Sequence, residues 1–323
     1  MAVLDRLSPG WSLPAAALVL ALFLLPTTAY SASEVFPFDD GSTCLDCHDD
    51  LLAKSQKHGA IEDSDSCILC HPLADPAQHT PTRPGKNVAE LCLQCHDAFQ
   101  GRRSTHGPVA AGECTACHDP HSADQPKLLR QAQPELCFTC HDKVVEDPQK
   151  IKLQPMKQLF EDDQAVLHPP FAEGCGDCHQ SHASDQPRLL KAAYPTGFYQ
   201  SYSEAAYGLC LNCHEAEAFS QPRTQKATAF RNGDLNLHYR HVNKDKGRSC
   251  RACHSPHGSY QPHLMAASFR FGERILGLTY EATDNGGSCS TSCHVKVSYD
   301  RLEPVNNRLR TSPVPGQDAG QSK

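Results

Sequence analysis

The sequence is short of the side chains that fill an ordinary protein core. Aromatic residues make up 7% of its 323 positions, there is a single tryptophan, and 18 of the hydrophobic residues (39% in all) are cysteines. A chain of this length with so little apolar side chain cannot easily bury a conventional core. Something other than side chains must therefore fill the interior, or the chain is disordered.

A basic surplus and long hydrophobic runs are scarce too. The net charge of −7 leaves no excess of Lys and Arg to neutralise phosphates, which argues against nucleic acid as a partner. Residues 15–25 form one apolar run of 11 residues, short of the ~20 that span a bilayer. Arg6 before this run and small residues around Ala29 predict a secretory signal peptide over residues 1–32. We therefore expect an exported, periplasmic protein, with an uncleaved N-terminal anchor as the alternative.

Cysteine, in contrast, is abundant, and every copy belongs to one motif. Cys-x-x-Cys-His occurs eight times, and a ninth copy has one extra residue between its cysteines. The cysteine pairs are Cys44/Cys47, Cys67/Cys70, Cys92/Cys95, Cys114/Cys117, Cys137/Cys140, Cys175/Cys178, Cys210/Cys213, Cys250/Cys253 and Cys289/Cys293. The histidines that follow them are His48, His71, His96, His118, His141, His179, His214, His254 and His294.

This motif is typical of c-type haem attachment. Two thiols add to the vinyl groups on one porphyrin edge, and the next residue, histidine, lies under the iron as its proximal ligand. Disulfides or zinc sites would explain the cysteines but not a histidine after every pair. We therefore expect nine covalently attached haem c groups.

Ten further histidines lie outside the motifs, and eight of them recur in register with the motifs. Four precede a motif by seven to nine positions and four follow one, so that a leading motif is succeeded by four repeats of the form His, motif, His, motif. These eight, with His238 for the leading haem, are the expected distal ligands; a histidine from a neighbouring molecule is the alternative for that haem. The nine candidates are His58, His79, His106, His121, His168, His182, His238, His241 and His257. The tenth, His263, aligns with Lys127 and Arg188 of the other repeats and is expected to be a polar surface residue.

The spacing of His118 and His121 restricts what the second histidine can bind. The proximal ring occupies one side of its own iron, and a residue three positions later cannot reach the opposite side. His121 must therefore serve a neighbouring haem. The same spacing recurs at His179/His182 and at His254/His257. Met156 and Met265 are out of register, so we expect bis-histidine haems of low potential with no vacant iron site.

The segments between motifs indicate the fold. They are short, rich in proline (24 in all) and without hydrophobic periodicity. We expect a mostly irregular chain with short α-helices at the motifs, a haem-filled core and no significant β-sheet. Longer spacings after Cys137 predict a five-haem part over residues 33–150 and a four-haem part over 151–302, followed by a disordered tail at 303–323.

The repeats resemble the paired-CxxCH multihaem cytochromes. The stretch from Cys44 through His58-Gly-Ala-Ile61 and Cys67 to His79 is most similar to the periplasmic decahaem cytochromes of outer-membrane porin–cytochrome conduits, and the similarity extends to about residue 263. The chain departs from that family in having nine motifs and an expanded last motif. The resemblance implies other cytochromes as electron donor and acceptor, and an outer-membrane β-barrel porin as a partner.

Three functions from different classes stay open. The resemblance and the ligand count favour a non-enzymatic electron carrier leading toward extracellular acceptors, with a porin-embedded conduit slightly preferred to a free periplasmic shuttle. A multihaem reductase of nitrite or sulfur oxyanions usually needs an open iron face, often marked by Cys-x-x-Cys-Lys, which this sequence lacks. A filament-forming homopolymer would take one distal histidine from the next subunit.

Overall fold

The structure is a computed structural model that describes residues 43–61, 66–75, 80–81, 88–146, 150 and 152–307. The predicted signal peptide, His79 and residues 308–323 lie outside these ranges. No helix within them is both long enough and apolar enough to cross a membrane.

Short helices carry the cysteine motifs. The α-helices are α1 (Leu45–His48), α2 (Cys67–Cys70), α3 (Ala89–Cys92), α4 (Gly107–Ala110), α5 (Glu135–His141), α6 (Lys157–Phe160), α7 (Pro169–Glu173), α8 (Gly208–Leu211), α9 (Glu217–Ser220) and α10 (Leu237–Val242). The 3₁₀ turns are Asp49–Leu52, Gly59–Ile61, Cys114–Ala116, Pro126–Leu128, Pro187–Leu189, Glu204–Tyr207, Cys250–Ala252 and Pro262–Leu264.

One helical turn positions each motif. In seven of the nine motifs, the backbone N–H of the proximal histidine donates to the carbonyl of the first cysteine at 2.9–3.1 Å. Residues three and four apart in such a turn share one face. Both thiols and the imidazole of a motif are therefore presented to the same side of the chain.

Strands of two or three residues pair along the chain, and three of these pairs join successive repeats. The short strands are β1 (Gln56–Lys57), β2 (Leu73–Asp75), β3 (Thr80–Pro81), β4 (Ser104–Thr105), β5 (Ser122–Ala123), β6 (Val145–Glu146), β7 (Lys152–Leu153), β8 (Val166–Leu167), β9 (Ala183–Ser184), β10 (Arg231–Asn232), β11 (Leu235–Asn236) and β12 (Gly258–Ser259). Three antiparallel pairs, β1–β5, β4–β9 and β8–β12, connect the start of one repeat to the middle of the next. Beside these pairs, backbone N–H groups donate from His58 to His121 (3.0 Å), from His106 to His182 (2.9 Å) and from His168 to His257 (3.0 Å).

The C-terminal region forms a four-stranded antiparallel meander, unlike the expectation of no significant sheet. Its strands are β13 (Ser268–Phe271), β14 (Arg274–Thr283), β15 (Gly286–Thr291) and β16 (His294–Asp300), paired in that order. Leu278 and Tyr280 are buried while Thr279 and Glu281 are exposed, the alternation of a half-buried strand. The inner face packs around a cluster of Met265, Phe269, Leu278, Tyr280 and Tyr299.

Buried apolar side chains are sparse elsewhere in the described residues. Outside the C-terminal cluster there are eight: Ile61, Ala123, Phe138, Phe171, Leu190, Tyr207, Val242 and Ala252. The small number accords with the sequence argument that side chains alone do not fill this interior. A haem-filled core stays a prediction.

Contacts cross both expected boundaries, the one near residue 150 and the one at residue 303. Hydrogen bonds cross residue 150: the Met156 N–H donates to the His141 carbonyl at 2.9 Å, and Arg102 pairs with Asp185 at 2.5 Å. At the C-terminus, the Val305 N–H donates to the Asn232 side-chain oxygen at 2.8 Å. Val305 is therefore bonded to the preceding part of the chain, and the disordered tail stays a prediction.

Candidate haem-ligand site

Histidine rings in this structure lie opposite one another in pairs. Seven pairs each combine a motif histidine with a lone histidine. They are His58–His96 (6.0 Å between ring centroids), His71–His121 (6.1 Å), His106–His141 (6.3 Å), His118–His182 (5.9 Å), His168–His214 (6.2 Å), His179–His257 (6.2 Å) and His238–His254 (6.5 Å). The ring planes differ by 9–24° in five pairs, and by 35° and 37° in the pairs of His58 and His238.

These separations fit an iron between each pair of rings. An iron bound at about 2.0 Å to one nitrogen of each opposed imidazole separates the ring centres by roughly 6.3 Å. Direct packing of two rings needs no such uniform gap. In the described residues, no group of three or more His, Cys, Asp or Glu is placed to hold a bare metal ion. The arrangement suits a metal whose other ligands come from a porphyrin.

The pairs follow one rule along the repeats. The lone histidine that opens a repeat faces the second motif of the same repeat, as His106 faces His141. The lone histidine inside a repeat faces the first motif of the preceding repeat, as His121 faces His71. His121 thus lies opposite a motif other than its own, as the spacing predicted, and each repeat contributes a ring to the one before it.

His238 departs from the sequence expectation. It was expected to serve the leading haem, but its ring lies 6.5 Å from His254. By the repeat rule, His254 would face the inner histidine of a fifth repeat, and the chain has no fifth repeat. His238, on α10, occupies that position instead.

Four of the expected ligands lie outside these seven pairs: His48, His79, His241 and His294. His241 lies close enough to His294 for their charges to interact. The repeat rule pairs the same two residues, since His241 opens the fourth repeat and His294 closes it. The rule also pairs His48 with His79, which lies outside the described residues.

A repeated backbone turn fixes the proximal ring in three motifs. The Nδ1–H groups of His118, His179 and His254 donate to the carbonyls of the residues nine positions later, at 2.8, 3.0 and 3.0 Å. Those acceptor residues are Lys127, Arg188 and His263, all with φ near +60°. A hydrogen bond at Nδ1 leaves Nε2 for the metal and fixes the ring plane.

Sequence reasoning missed this role of the turn. His263 is exposed, as expected, but its carbonyl holds a motif histidine. The available signal was the aligned Gln-Pro-x-Leu segment in three repeats, which keeps the same left-handed turn despite a different side chain at each central position. The backbone, rather than the side chain, performs the task.

Hydrogen bonds also orient four of the lone histidines. His106 and His168 bond the backbone of Ser181 and Pro256, and the Nδ1–H of His241 donates to the Leu237 carbonyl at 2.6 Å. The Nδ1 atom of His238 instead contacts the Thr228 hydroxyl at 3.0 Å. In His241 and His238, these contacts leave Nε2 on the opposite side of the ring.

Burial keeps many of these imidazoles in the metal-binding form. Burial lowers the pKa of His238 to about 3 and that of His257 to about 4, with smaller contributions from neighbouring cationic groups. Burial also lowers the pKa of His106 and His179. At neutral pH these rings are therefore neutral, and one nitrogen of each can donate electrons to a metal.

The attachment cysteines of successive motifs are adjacent. None of the 18 cysteines, all of which lie in the described residues, forms a disulfide. Hydrogen-bonding contacts join motifs three and four, five and six, and seven and eight: Cys92–Cys114, Cys137–Cys175 and Cys210–Cys250. Electrostatic contacts join the alternating steps: Cys70–Cys92, Cys117–Cys140, Cys178–Cys213 and Cys253–Cys289. From the second motif to the ninth, spatial order follows chain order.

The second cysteine is exposed in five of the nine motifs. These five are Cys47, Cys95, Cys140, Cys213 and Cys293. Cys140 and Cys213 contact cysteines of the preceding motif, Cys117 and Cys178. Attachment at each individual cysteine stays a prediction from the motifs.

One buried polar atom lies beside a pair of attachment thiols. The Tyr202 hydroxyl is buried with no hydrogen-bond partner. It lines a small apolar cavity together with the attachment cysteines Cys210 and Cys250. A buried hydroxyl without a partner is costly. The two porphyrins attached at Cys210/Cys213 and at Cys250/Cys253 would both lie near it.

The ninth motif is built differently from the others. Cys289 is on β15, His294 begins β16, and the Cys293 N–H donates to the Thr291 hydroxyl in the turn between them, at 3.0 Å. A hairpin, rather than a helical turn, therefore brings the ninth pair of thiols together. The extra residue in the sequence accompanies this change of backbone.

Comparison with known proteins gives the class of this chain. The family of the doubled CXXCH motif matches residues 106–146, 168–219 and 241–270, each stretch beginning at a histidine that opens a repeat. These matches support a paired-CxxCH multihaem c-type cytochrome, and such motifs indicate covalently attached haem c.

A named relative lies in the same class. The chain is similar to the multiheme cytochrome MtrA of Shewanella baltica (strain OS185), with 29% identity over 173 residues, which make up 44% of this chain and 46% of that protein. The match therefore covers less than half of the relative's length.

Proposed function

We propose that this chain carries electrons through nine bis-histidine haems, from the periplasm across the outer membrane toward extracellular acceptors. The coarser statement, that it is a multihaem electron-transfer cytochrome, follows from its class. The observation that carries the finer proposal is the series of seven opposed histidine pairs at 5.9–6.5 Å.

The protein's own residues would do three things in this function. Each haem, when bound, supplies an iron that takes up and releases one electron. The cysteines hold the porphyrins in chain order, and each opposed pair of histidines occupies both axial positions. Bis-histidine ligation favours low potentials and leaves no site for a substrate.

The two histidines at the ends of the pattern complete the ligand set. We assign His241 to the iron bound by His294, and His79 to the iron bound by His48. The first assignment rests on the electrostatic contact between the rings and on the repeat rule, and the second on the rule alone. With these, nine motif histidines and nine lone histidines are matched within one chain.

This complete matching favours a carrier over the two other functions. A filament that borrows a distal histidine from the next subunit has no haem left that needs one. A reductase of nitrite or sulfur oxyanions has no iron left with an open face. Other cytochromes are then the expected donor and acceptor, and an outer-membrane porin is the expected scaffold.

Isolation from the membrane tests the scaffold. We expect affinity purification of the tagged holoprotein from outer membranes, in mild detergent, to recover a porin in a 1:1 ratio by mass. An untagged strain controls for unspecific recovery. A lone soluble monomer would refute the conduit in favour of a periplasmic shuttle, and a sedimenting homopolymer would refute it in favour of a filament.

A further inference from the structure

The ring of His238 is held by a side chain, whereas three other lone histidines bond to the backbone. His106 and His168 bond backbone groups of Ser181 and Pro256, and the Nδ1–H of His241 donates to the Leu237 carbonyl. The Nδ1 atom of His238 lies 3.0 Å from the hydroxyl oxygen of Thr228. Among these four histidines, His238 is the one bonded to a side chain, and a side chain can be replaced without rebuilding the turn.

His238, the histidine held by a side chain, is also the one whose pairing departs from the repeat rule. His238 stands in for a histidine that a fifth repeat would have supplied, so no strand pair between repeats holds it. Instead, α10 begins after Asn236, whose side chain accepts from the Tyr239 N–H at 3.1 Å. Phe219 and Phe230 pack against the His238 ring, each at 5.1 Å between centroids, and restrict its position but supply no hydrogen bond.

We infer that Thr228 is a positioning residue that orients His238 and sets its strength as a ligand; this inference rests on the proposed pairing of His238 with His254. The neutral His238 ring, with Nε2 toward the metal, carries its proton on Nδ1 and donates it to the Thr228 oxygen. That oxygen also accepts from the Phe230 N–H at 3.0 Å, which fixes the threonine itself.

This hydrogen bond has two consequences for the metal site. Donation of the Nδ1–H to the Thr228 oxygen makes the imidazole a stronger electron donor to the iron, which favours the ferric state. It also fixes the rotation of the ring, which is tilted by 37° from His254 where most pairs are tilted by 9–24°. Loss of the acceptor should raise the potential of this one haem and loosen the angle between its two ligands.

The test compares variants of the full-length holoprotein with all haems attached. Thr228→Val has nearly the shape of threonine but no acceptor, and Thr228→Ser restores the hydroxyl. Thr224→Val is the matched control, because the Thr224 hydroxyl accepts from the Lys226 and Ala227 N–H groups in the same segment, whereas the Thr228 hydroxyl is the one bonded to His238. Haem content is measured first; should Thr228→Val lose haem, Thr228→Ala takes its place.

Redox titration followed by electron paramagnetic resonance gives the answer. We expect one component of the titration to move to higher potential in Thr228→Val and one low-spin ferric signal to shift or broaden. Thr228→Ser and Thr224→Val should match the wild type. A Thr228→Val titration and spectrum that superimpose on the wild type would overturn the inference.

His238→Ala separates this inference from the proposed function. It should expose one haem to carbon monoxide if His238 is a ligand. Carbon monoxide binding in His238→Ala together with no change in Thr228→Val would reject the role of Thr228 alone. No carbon monoxide binding in His238→Ala would reject the pairing itself.

Discussion

Replacement of His121 by alanine is expected to make the reduced protein bind one equivalent of carbon monoxide, where the wild type binds none. The His121 ring lies 6.1 Å from His71, so its loss opens the iron attached at Cys67 and Cys70. The backbone bond from His58 to His121 does not depend on the side chain and is retained. The measurement is the carbon monoxide difference spectrum, titrated against total haem.

Two further variants locate the opened iron. Combining His121→Ala with Cys67→Ala and Cys70→Ala should abolish carbon monoxide binding, whereas combining it with Cys114→Ala and Cys117→Ala should not. His263→Asn is the matched control, because the ring opposite His263 is that of Tyr280 and not a motif histidine, and because asparagine tolerates its left-handed backbone. A response confined to the haem at Cys114 and Cys117 would contradict the assignment across repeats.

Replacement of Gly286 by alanine is expected to destabilise the C-terminal sheet by roughly 3 kcal/mol or more. A Cβ atom at this position would lie 1.9 Å from the Tyr299 carbonyl oxygen and 2.8 Å from the carbonyl carbon. Both atoms belong to the backbone of β16, which is paired with β15 at this point, so neither can move without breaking the sheet. Thermal unfolding followed by circular dichroism should show a lower midpoint.

Gly277 provides the matched control in the same sheet. A Cβ atom there would meet nothing within 4 Å. Gly277→Ala should therefore be neutral or stabilising by about 0.4–1 kcal/mol, since alanine restricts the unfolded chain. Equal thermal unfolding midpoints for Gly286→Ala and Gly277→Ala would contradict the close packing of β15 against β16.

Much of the candidate site could be predicted from the sequence because its chemistry is local. Cys-x-x-Cys-His spans a single helical turn, so its residues act together wherever the chain goes. The register of the lone histidines also predicted that His121 would serve a motif other than its own, which agrees with the place of its ring opposite His71. Local spacing therefore predicts both where haem is attached and that His121 does not serve its own motif.

The pairing itself depends on contacts between distant residues. His58 and His121 are joined by a backbone bond across 63 positions, and nothing in either local sequence encodes that distance. His238 was assigned to the leading haem because it fell outside the register; the missing fifth repeat explains its place beside His254 only when the whole series is visible.

The four-stranded sheet was missed although a signal for it existed. Residues 275–281 alternate between exposed and buried positions, with Leu276, Leu278 and Tyr280 on one face. The sheet was not predicted because β15 consists largely of glycine and serine, and glycine is uncommon in strand interiors. Their small size is what allows β14, β15 and β16 to approach so closely.

Carbon monoxide binding to the reduced wild-type protein tests the central claim most directly. The claim is that two histidines occupy both axial positions of every haem. With nine haems per chain confirmed by haem assay, we expect the Soret band of the fully reduced protein to be unchanged under carbon monoxide. A substantial shift of that band would reveal an open iron and contradict the claim.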